Sequence, residues 1–105
     1  MAYAVDELIG IYSVTKTALL GMTKVLAKSL ENRGIRVNTV APGLIRTKFA
    51  AALIDNLESV TQKTGISKVG QPDDIANVVS FLCSDESSFI NGECVQAIGN
   101  ISARL

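Results

Sequence analysis

The amino-acid sequence predicts an α/β fold, in which two parallel strands and about three helices form one portion of a doubly wound sheet. Helical and strand patterns occur in the order helix, strand, helix, helix, strand, which implies a right-handed crossover between the two strands. Hydrophobic residues make up 48% of the 105 residues and aromatic residues only 5%, so the core must be largely aliphatic. Because two parallel strands cannot be covered on both faces and stable alone, we expect part of the sheet to be missing.

The first predicted element is a long amphipathic helix from Ile11 to Arg33. Gly34 follows the last turn and suits the left-handed backbone at which many helices end. The apolar residues recur at steps of three and four, which is typical of one helix face; they are Leu19, Leu20, Met22, Val25, Leu26 and Leu30.

A strand is predicted next, over residues 35–41, because this segment is rich in β-branched residues and ends at Pro42-Gly43. A less regular helix is predicted over residues 47–56, followed by a polar loop through Gly65.

A third helix is predicted from Gln71-Pro72 to about Ser84, since Pro suits the first helical position and two acidic residues follow it. Its buried stripe is predicted to be Ile75, Val78, Val79 and Leu82. The last predicted strand covers residues 93–98.

Composition limits the classes of partner. Lys plus Arg and Asp plus Glu both number 10, so the formal net charge is zero. We therefore expect no nucleic-acid partner and no attraction to an anionic membrane. No apolar run approaches the roughly 20 residues of a membrane span, and no secretory signal pattern occurs at the start. These features predict a soluble, intracellular protein.

The sequence contains no His, and its two cysteines, Cys83 and Cys94, lack metal-ligand spacing. No metal site is predicted. A disulfide between them stays open, but free Cys commonly packs as a small apolar residue. We predict two reduced, buried thiols, one in a helix and one in a strand.

Tyr12 and Lys16 lie four residues apart on the first predicted helix, so their side chains share one face. Use of a phenol as an acid or base at neutral pH requires about 4 kcal/mol of differential stabilisation of the phenolate. A neighbouring ammonium favours the phenolate, which would let Tyr12 exchange a proton with a carbonyl or alcohol oxygen. Taken alone, this spacing favours an ordinary solvated helix face.

The residues around this pair and several later segments, in the same order, resemble the short-chain dehydrogenase/reductase family. The segments are YSVTKTALLGMT at 12–23, IRVN at 35–38, APGLIRT at 41–47, GQPDDIA at 70–76, FLCSD at 81–85 and INGE at 90–93. The resemblance covers essentially the whole chain and is closest to the peroxisomal carbonyl reductase branch. It implies that residues 1–105 are the C-terminal part of a single Rossmann-type domain from an NAD(P)-dependent oxidoreductase of the carbonyl reductase or alcohol dehydrogenase type.

The resemblance also implies roles for individual residues. Tyr12 would be the general acid/base, and Lys16 would lower its pKa and hydrogen-bond the nicotinamide ribose. The positions that match the family's cofactor turn are Pro42, Gly43, Ile45 and Thr47. NADP is the expected cofactor, and NAD is not excluded. Without the resemblance, Pro42-Gly43 would be interpreted as a plain strand-terminating turn.

The sequence departs from the family's pattern. It has no Gly-rich turn of the kind that binds the cofactor pyrophosphate. The family's catalytic Ser and its water-holding Asn lie farther upstream of the Tyr than this chain extends, and Ser13 faces elsewhere on the helix. Gly99-Asn100 stands where the family often has paired glycines. We therefore expect the N-terminal dinucleotide-binding half to be absent. The alternative function is a non-catalytic remnant that at most associates with full-length relatives.

Three further expectations follow from the resemblance. The segment after Thr47, with Phe49, Leu53 and Ile54, would be an apolar lid over the substrate, or would simply pack on the domain. The helix bearing Tyr12 would contact a partner subunit in a dimer or tetramer, with ordinary burial within the chain as the alternative. The terminus Ala103-Arg104-Leu105 resembles a peroxisomal address, with a cytosolic tail as the alternative.

Overall fold

The computed structural model describes residues 2–48, 51, 55 and 68–99, and its account of side chains begins at Val14. In chain order the elements are helix α1 (Ala2–Leu30), a 3-10 turn (Glu31–Arg33), strand β1 (Thr39–Pro42), helix α2 (Pro72–Cys83), a second 3-10 turn (Asp85–Ser87) and strand β2 (Cys94–Ala97). These elements confirm the predicted α/β class.

Helix α1 begins nine residues earlier than the predicted start at Ile11. The preceding residues include Ala2, Ala4, Glu7 and Leu8, which favour helix, and the single Gly10 is not enough to interrupt it. The predicted end is correct, because Gly34 adopts a left-handed backbone with φ of 71° and its N–H donates to the Glu31 carbonyl at 3.0 Å.

The buried side of α1 is made of small residues. Thr23 and Ala27 are buried, whereas the larger Val14, Met22 and Val25 are 71%, 51% and 64% exposed. A β-carbon added to Gly92 would lie 3.4 Å from that of Ala27, so the helix approaches the backbone of this turn closely. The amphipathic pattern therefore predicts the helix correctly, but most of its large apolar side chains stay exposed in the described part of the chain.

Strands β1 and β2 are neighbours in a two-stranded sheet among the described residues. The Thr39 N–H donates to the Glu93 carbonyl at 2.8 Å, and the Gly43 N–H donates to the Ala97 carbonyl at 3.1 Å. Both steps are four residues in the same direction, so the strands are parallel, as predicted. Strand β1 starts later than the predicted residue 35, because residues 36–38 are bonded to the turn at 90–93 through side chains as well as backbone.

Helix α2 begins at Pro72, as predicted, and the Gln71 N–H donates to the Asp74 carboxylate at 2.7 Å. Its C-cap is Ser84, whose N–H donates to the Phe81 carbonyl at 3.0 Å. The predicted buried stripe is partly wrong. Leu82 is buried and Ile75 and Val78 are half-buried, but Val79 is exposed.

The cysteines differ from the prediction in burial. Both thiols are free, and Cys94 is half-buried at the start of β2, but Cys83 is exposed at the end of α2. Leu82 occupies the buried position there, and the next residue along a helix points about 100° away. Burial of the Cys83 thiol is therefore a wrong prediction.

The predicted helix over residues 47–56 and the loop after it lie largely outside the described residues. Ala51 and Asp55 are helical, while Thr47 is not. Phe49, Leu53 and Ile54, which carry the predicted lid, are outside the described residues.

The chain forms two compact units. The first holds the described residues up to Thr39 together with Phe89–Cys94, and the second holds those from Val40 to Ser88 together with those from Val95 onward. No helix in the described ranges is long and apolar enough to cross a membrane.

Candidate active site

Helix α1 carries the first part of the candidate site. The helix is continuous between Tyr12 and Lys16, so the two residues are about one turn apart on its backbone. Lys16 is half-buried. It lies seven residues before Thr23 and eleven before Ala27, a spacing that places all three on one side of the helix. The side chain of Tyr12 lies outside those described.

Thr23 connects this side of α1 to the start of β1. Its hydroxyl donates to the Leu19 carbonyl at 2.8 Å and is in hydrogen-bond contact with the Thr39 hydroxyl. A hydroxyl has a single proton, so Thr39 is the donor in the contact between the two. Thr23 is only 6% exposed, and this pairing satisfies a hydroxyl that would otherwise be costly to bury.

Two asparagines join residues 37–38 to the turn at 90–93, an arrangement that we call the asparagine clamp. Asn38 donates through its amide to the Ile90 carbonyl at 3.1 Å and accepts from the Glu93 N–H at 3.0 Å. Asn91 accepts from the Val37 N–H at 2.9 Å. Every one of these residues precedes a strand, so the clamp fixes how the strands enter the sheet.

The second unit holds the cofactor turn predicted from the resemblance. Pro42 ends β1 and is exposed, and Gly43 follows it, half-buried. A β-carbon on Gly43 would lie 2.9 Å from the Ile98 Cα, which is closer than any side chain tolerates. The glycine at this position is therefore required by the close approach of the backbone after β2, whether or not a ligand binds there.

Ile45 forms an isolated parallel bridge with Gly70. The Gly70 N–H donates to the Leu44 carbonyl, and the Arg46 N–H donates to the Gly70 carbonyl, both at 2.8 Å. In such a bridge the neighbours of the central residue bond the partner, while its own N–H and C=O point to the opposite edge. Ile45 makes no backbone hydrogen bond with any other described residue.

A cavity of about 240 Å³ adjoins this bridge. It lies just beyond the carboxyl ends of β1 and β2, which is where open parallel sheets bind ligands. Its volume is below the roughly 300–1,000 Å³ of sites that enclose a whole drug-sized ligand, so it suits part of a larger molecule. The lining residues are Leu44, Ile45, Lys68, Val69, Gly70, Asp74, Ala97, Ile98 and Gly99.

The structure thus brings together some of the predicted site residues. Pro42, Gly43, Ile45 and Thr47 lie along one exit from β1, and among them Ile45 lines the cavity. Thr47 is exposed and has a polar partner. Lys16 belongs to the other compact unit.

Sequence reasoning gave no site role to several residues that build this region. Lys68, Gly70 and Asp74 line the cavity, and Asn38 and Asn91 form the clamp. Lys68, Gly70 and Asp74 could have been found from their positions, because they lie just before or at the start of a helix that follows a strand. For Asn38 and Asn91 the signal is an Asn at each entry to a strand, one of them in an Asn-Gly pair.

Two ion pairs that involve α1 are solvent-exposed. Lys28 Nζ lies 2.8 Å from Glu31 Oε1, and Lys24 Nζ lies 3.8 Å from Glu93 Oε1. The hydrogen bond to Glu31, and secondarily the negative charge of Glu31, raise the pKa of Lys28 above its ordinary value of 10.5. Within the described part of the chain, no three Cys, Asp or Glu side chains cluster as metal ligands.

Comparison with known families gives a match over almost the whole chain. The family model described as enoyl-(acyl carrier protein) reductase matches residues 2–99. Among curated proteins, dehydrogenase/reductase SDR family member 4 of Oryctolagus cuniculus is 47% identical over 100 residues, and that of Homo sapiens is 48% identical over 97. The repeated match to family member 4 confirms the branch that the motifs predicted.

These alignments cover 92% and 90% of this chain but only 38% and 35% of the two relatives. The chain therefore spans little more than a third of their length.

Solved structures match the same region. A 4-hydroxyisoleucine dehydrogenase complexed with NADH has a TM-score of 0.72 and 32% identity, covering 81% of this chain and 36% of that one. A structure from Agrobacterium tumefaciens with bound NADP, described as a 2-deoxy-d-gluconate 3-dehydrogenase, has a TM-score of 0.74 and 30% identity, covering 84% and 37%. These neighbours have the Rossmann fold and confirm the predicted fold class.

Proposed function

Because the chain belongs to the short-chain dehydrogenase/reductase family, we propose that it supplies the acid/base residues of a carbonyl reductase or alcohol dehydrogenase site. The family consists of NAD(P)-dependent oxidoreductases that act on small molecules. The observation that carries the proposal is the unbroken helix through Tyr12 and Lys16, which keeps the two family residues one turn apart.

In the proposed chemistry Tyr12 moves the proton and Lys16 makes this possible. The half-buried Lys16 ammonium favours the phenolate of Tyr12, so the phenol can give its proton to a carbonyl oxygen at neutral pH. In the direction of alcohol oxidation, Tyr12 accepts the proton instead. Lys16 also donates a hydrogen bond to the ribose next to the nicotinamide.

The residues after β1 fit a nicotinamide group. The peptide N–H and C=O of Ile45 point away from Gly70 and bond no other described residue, so they can pair with a primary carboxamide. Thr47 matches the family position whose hydroxyl bonds a phosphate oxygen of the cofactor. Pro42-Gly43 forms the turn that precedes Ile45 and Thr47. A bound nicotinamide cofactor supplies or removes the hydride.

NADP is the proposed form of this cofactor, and a carbonyl compound or secondary alcohol is the proposed substrate. Related structures hold NADH or NADP, which supports a nicotinamide cofactor in general. The preference for NADP comes from the branch of the family. For the same reason we propose a dimeric or tetrameric parent enzyme and a peroxisomal location through Ala103-Arg104-Leu105, with the cytosol as the alternative.

A chimera tests the proposal. The part of the rabbit relative that precedes its match is joined to this chain, and carbonyl reduction is followed by NADPH absorbance. Tyr12→Phe should abolish turnover while NADPH binding, measured by fluorescence, changes little. Retained turnover in Tyr12→Phe would refute the acid/base role. The chain alone, which has no Gly-rich turn, is expected to give no turnover.

The second candidate is that this chain acts as a non-catalytic association partner of full-length relatives. The exposed apolar side chains of α1 favour it, since Val14, Met22 and Val25 are each more than half exposed. Several large apolar side chains exposed on one helix are typical of contacts between proteins.

Association is tested with the tagged chain and the rabbit relative. Co-purification that is lost in Met22→Glu with Val25→Glu supports this candidate, and the matched control is Ser29→Glu with Asn32→Glu on exposed polar positions at the end of the same helix and in the turn that follows it. No co-purification of the unmodified chain contradicts it. The isolated chain reducing a carbonyl compound would also contradict it, because this candidate requires a chain without catalysis.

A further inference from the structure

We propose that Asn91 is a site of spontaneous deamidation, and that the asparagine clamp holds this reaction back while it is closed. Asn91 is exposed to water and is followed by Gly92, the neighbour that hinders ring closure least. The inference is independent of the catalytic proposal, because it involves neither Tyr12 nor the residues after β1.

The chemistry needs only the chain and water. The backbone nitrogen of Gly92 attacks Cγ of Asn91, a C–N bond forms, and the Cγ–Nδ2 bond breaks. The Gly92 amide proton is lost to solvent, and Nδ2 leaves as ammonia. Water then opens the five-membered imide at either carbonyl, which gives aspartate or isoaspartate at position 91.

The glycine in this reactive pair cannot be replaced without cost. Gly92 has a φ of 75°, a conformation that L side chains rarely adopt. It is also buried, and a β-carbon there would lie 3.4 Å from that of Ala27 and 3.7 Å from Lys24 Cδ. These two distances are ordinary van der Waals contacts, so it is the left-handed backbone at position 92 that imposes the glycine that makes Asn91 labile.

The asparagine is imposed as well. Its Oδ1 accepts from the Val37 N–H at 2.9 Å, and Gly92 donates its own N–H to the Val37 carbonyl at 2.8 Å. The backbone of Val37 is thus hydrogen-bonded both to the carboxamide that would react and to the nitrogen that would attack it. Both hydrogen bonds must break before Gly92 N can reach Asn91 Cγ.

Deamidation must consequently pass through an opened clamp. When opening and closing are fast, a modification of the open form follows the population of that form. Two hydrogen bonds of about 1 kcal/mol each reduce this population by roughly 30-fold. Asn38 adds two more bonds across the same gap, to Ile90 and Glu93.

The products differ in what they do to the clamp. Aspartate at 91 keeps an oxygen that accepts from Val37. Isoaspartate inserts a methylene into the main chain before Gly92, so the Gly92 and Glu93 N–H groups lose their spacing relative to Val37 and Asn38. Formation of isoaspartate therefore leaves the clamp open.

Mass spectrometry of peptides from the incubated chain measures the conversion of Asn91. In folding buffer, we expect conversion roughly 30-fold slower than in concentrated urea at the same pH, because the two bonds to Val37 must break first. Asn38→Ala, which opens the other half of the clamp, should accelerate conversion several-fold. The matched control Asn32→Ala removes an exposed amide outside the clamp and should leave the rate unchanged.

Equal rates in buffer and in urea overturn the proposal, as does an Asn38→Ala variant that is no faster. Because Asn38→Ala could act by unfolding the chain, a second measurement uses the unmodified protein. Hydrogen exchange of the Gly92 amide and deamidation of Asn91 are followed at increasing urea below the unfolding transition. The two rates should rise in parallel, and a deamidation rate that does not follow exchange also overturns the proposal.

Discussion

The buried Thr23 on α1 and the half-buried Thr39 at the start of β1 are joined through their hydroxyls. Thr23 also donates to Leu19, so the oxygen of Thr23 is the acceptor for Thr39. This pair is the direct polar link between the helix that carries Lys16 and the first residue of the strand.

Replacing one hydroxyl should therefore cost more than replacing both. Thr39→Val leaves the buried Thr23 oxygen without its donor, and Thr23→Val leaves the Thr39 hydroxyl without an acceptor. Each should lower the free energy of unfolding by about 1–3 kcal/mol. The double variant should be closer to the unmodified chain than either single one, as measured by urea unfolding. Additive losses in the double variant would contradict the pairing.

Two glycines should respond in opposite directions to replacement by alanine. Gly43→Ala places a methyl group 2.9 Å from the Ile98 Cα and should lower the free energy of unfolding by about 1–3 kcal/mol. Gly21 lies inside α1 with no atom of the described residues within 4 Å of an added β-carbon, so Gly21→Ala should raise it by roughly 0.5–1 kcal/mol. Thermal unfolding of the two variants measures both changes in stability. A Gly43→Ala variant as stable as the unmodified chain would refute the close approach of Gly43 to Ile98.

The start of α2 should depend more on Asp74 than on Asp73. Asp74 accepts from the Gln71 N–H at 2.7 Å, and both acids lie in the first helical turn. Asp74→Ala loses a hydrogen bond and a favourable dipole interaction, about 1–2 kcal/mol together, while Asp73→Ala loses only about 0.3–1 kcal/mol. Urea unfolding of the two variants measures the loss of unfolding free energy in each. Equal losses would mean that the carboxylate of Asp74 does not cap the helix.

The pair of Lys28 and Glu31 gives a direction for pH dependence. The pKa of Lys28 is raised in the folded chain, so the folded state holds this proton more tightly than the unfolded state does. The stabilisation is therefore complete below 10.5 and is lost as the pH rises through the higher folded value. In Lys28→Met, the unfolding temperature should therefore fall less steeply as the pH rises through the alkaline range. The difference should be small, because exposed ion pairs contribute little to stability. Lys24→Met, whose Glu93 partner is 3.8 Å away, is the control.

Lys16 should affect the pH profile of the proposed enzyme as well as its affinity for cofactor. In the chimera described above, Lys16→Met removes the ammonium that favours the phenolate, so the pKa of the catalytic phenol should move toward its free value near 10. The rate of carbonyl reduction is measured from neutral to alkaline pH. At neutral pH the variant should be slower than the unmodified chimera, and its pH profile should shift to higher pH. NADPH should bind more weakly. An unchanged pH profile would contradict the role of Lys16 toward Tyr12.

Much of the fold follows from local sequence signals. Gly34, Pro72 and Ser84 mark element ends that the structure confirms, since each acts through its own backbone. Burial was harder to predict. Periodicity identifies the apolar side of α1 and of α2, but which side chains are covered depends on neighbours that the local pattern does not contain, as Val79 and Cys83 illustrate.

The residues of the candidate site also fall into two classes: those that local sequence indicates and those that only the three-dimensional structure shows. Tyr12, Lys16 and Ile45 are site candidates that the sequence alone indicates, because family motifs are contiguous in sequence, and their roles stay predictions. Asn38 and Asn91 bond across a gap of more than fifty residues, and no periodic pattern records such a pairing. Gly43 looks like a ligand-binding glycine in the sequence, but its β-carbon is excluded by Ile98, a contact visible only in three dimensions.

The apolar side chains of α1 have a consequence for how much of this protein a cell keeps. Val14, Met22 and Val25 are exposed on a helix of 29 residues, and surface of this kind is bound by chaperones and leads to degradation when nothing covers it. Steady-state abundance should then depend on the supply of whatever chain covers the helix.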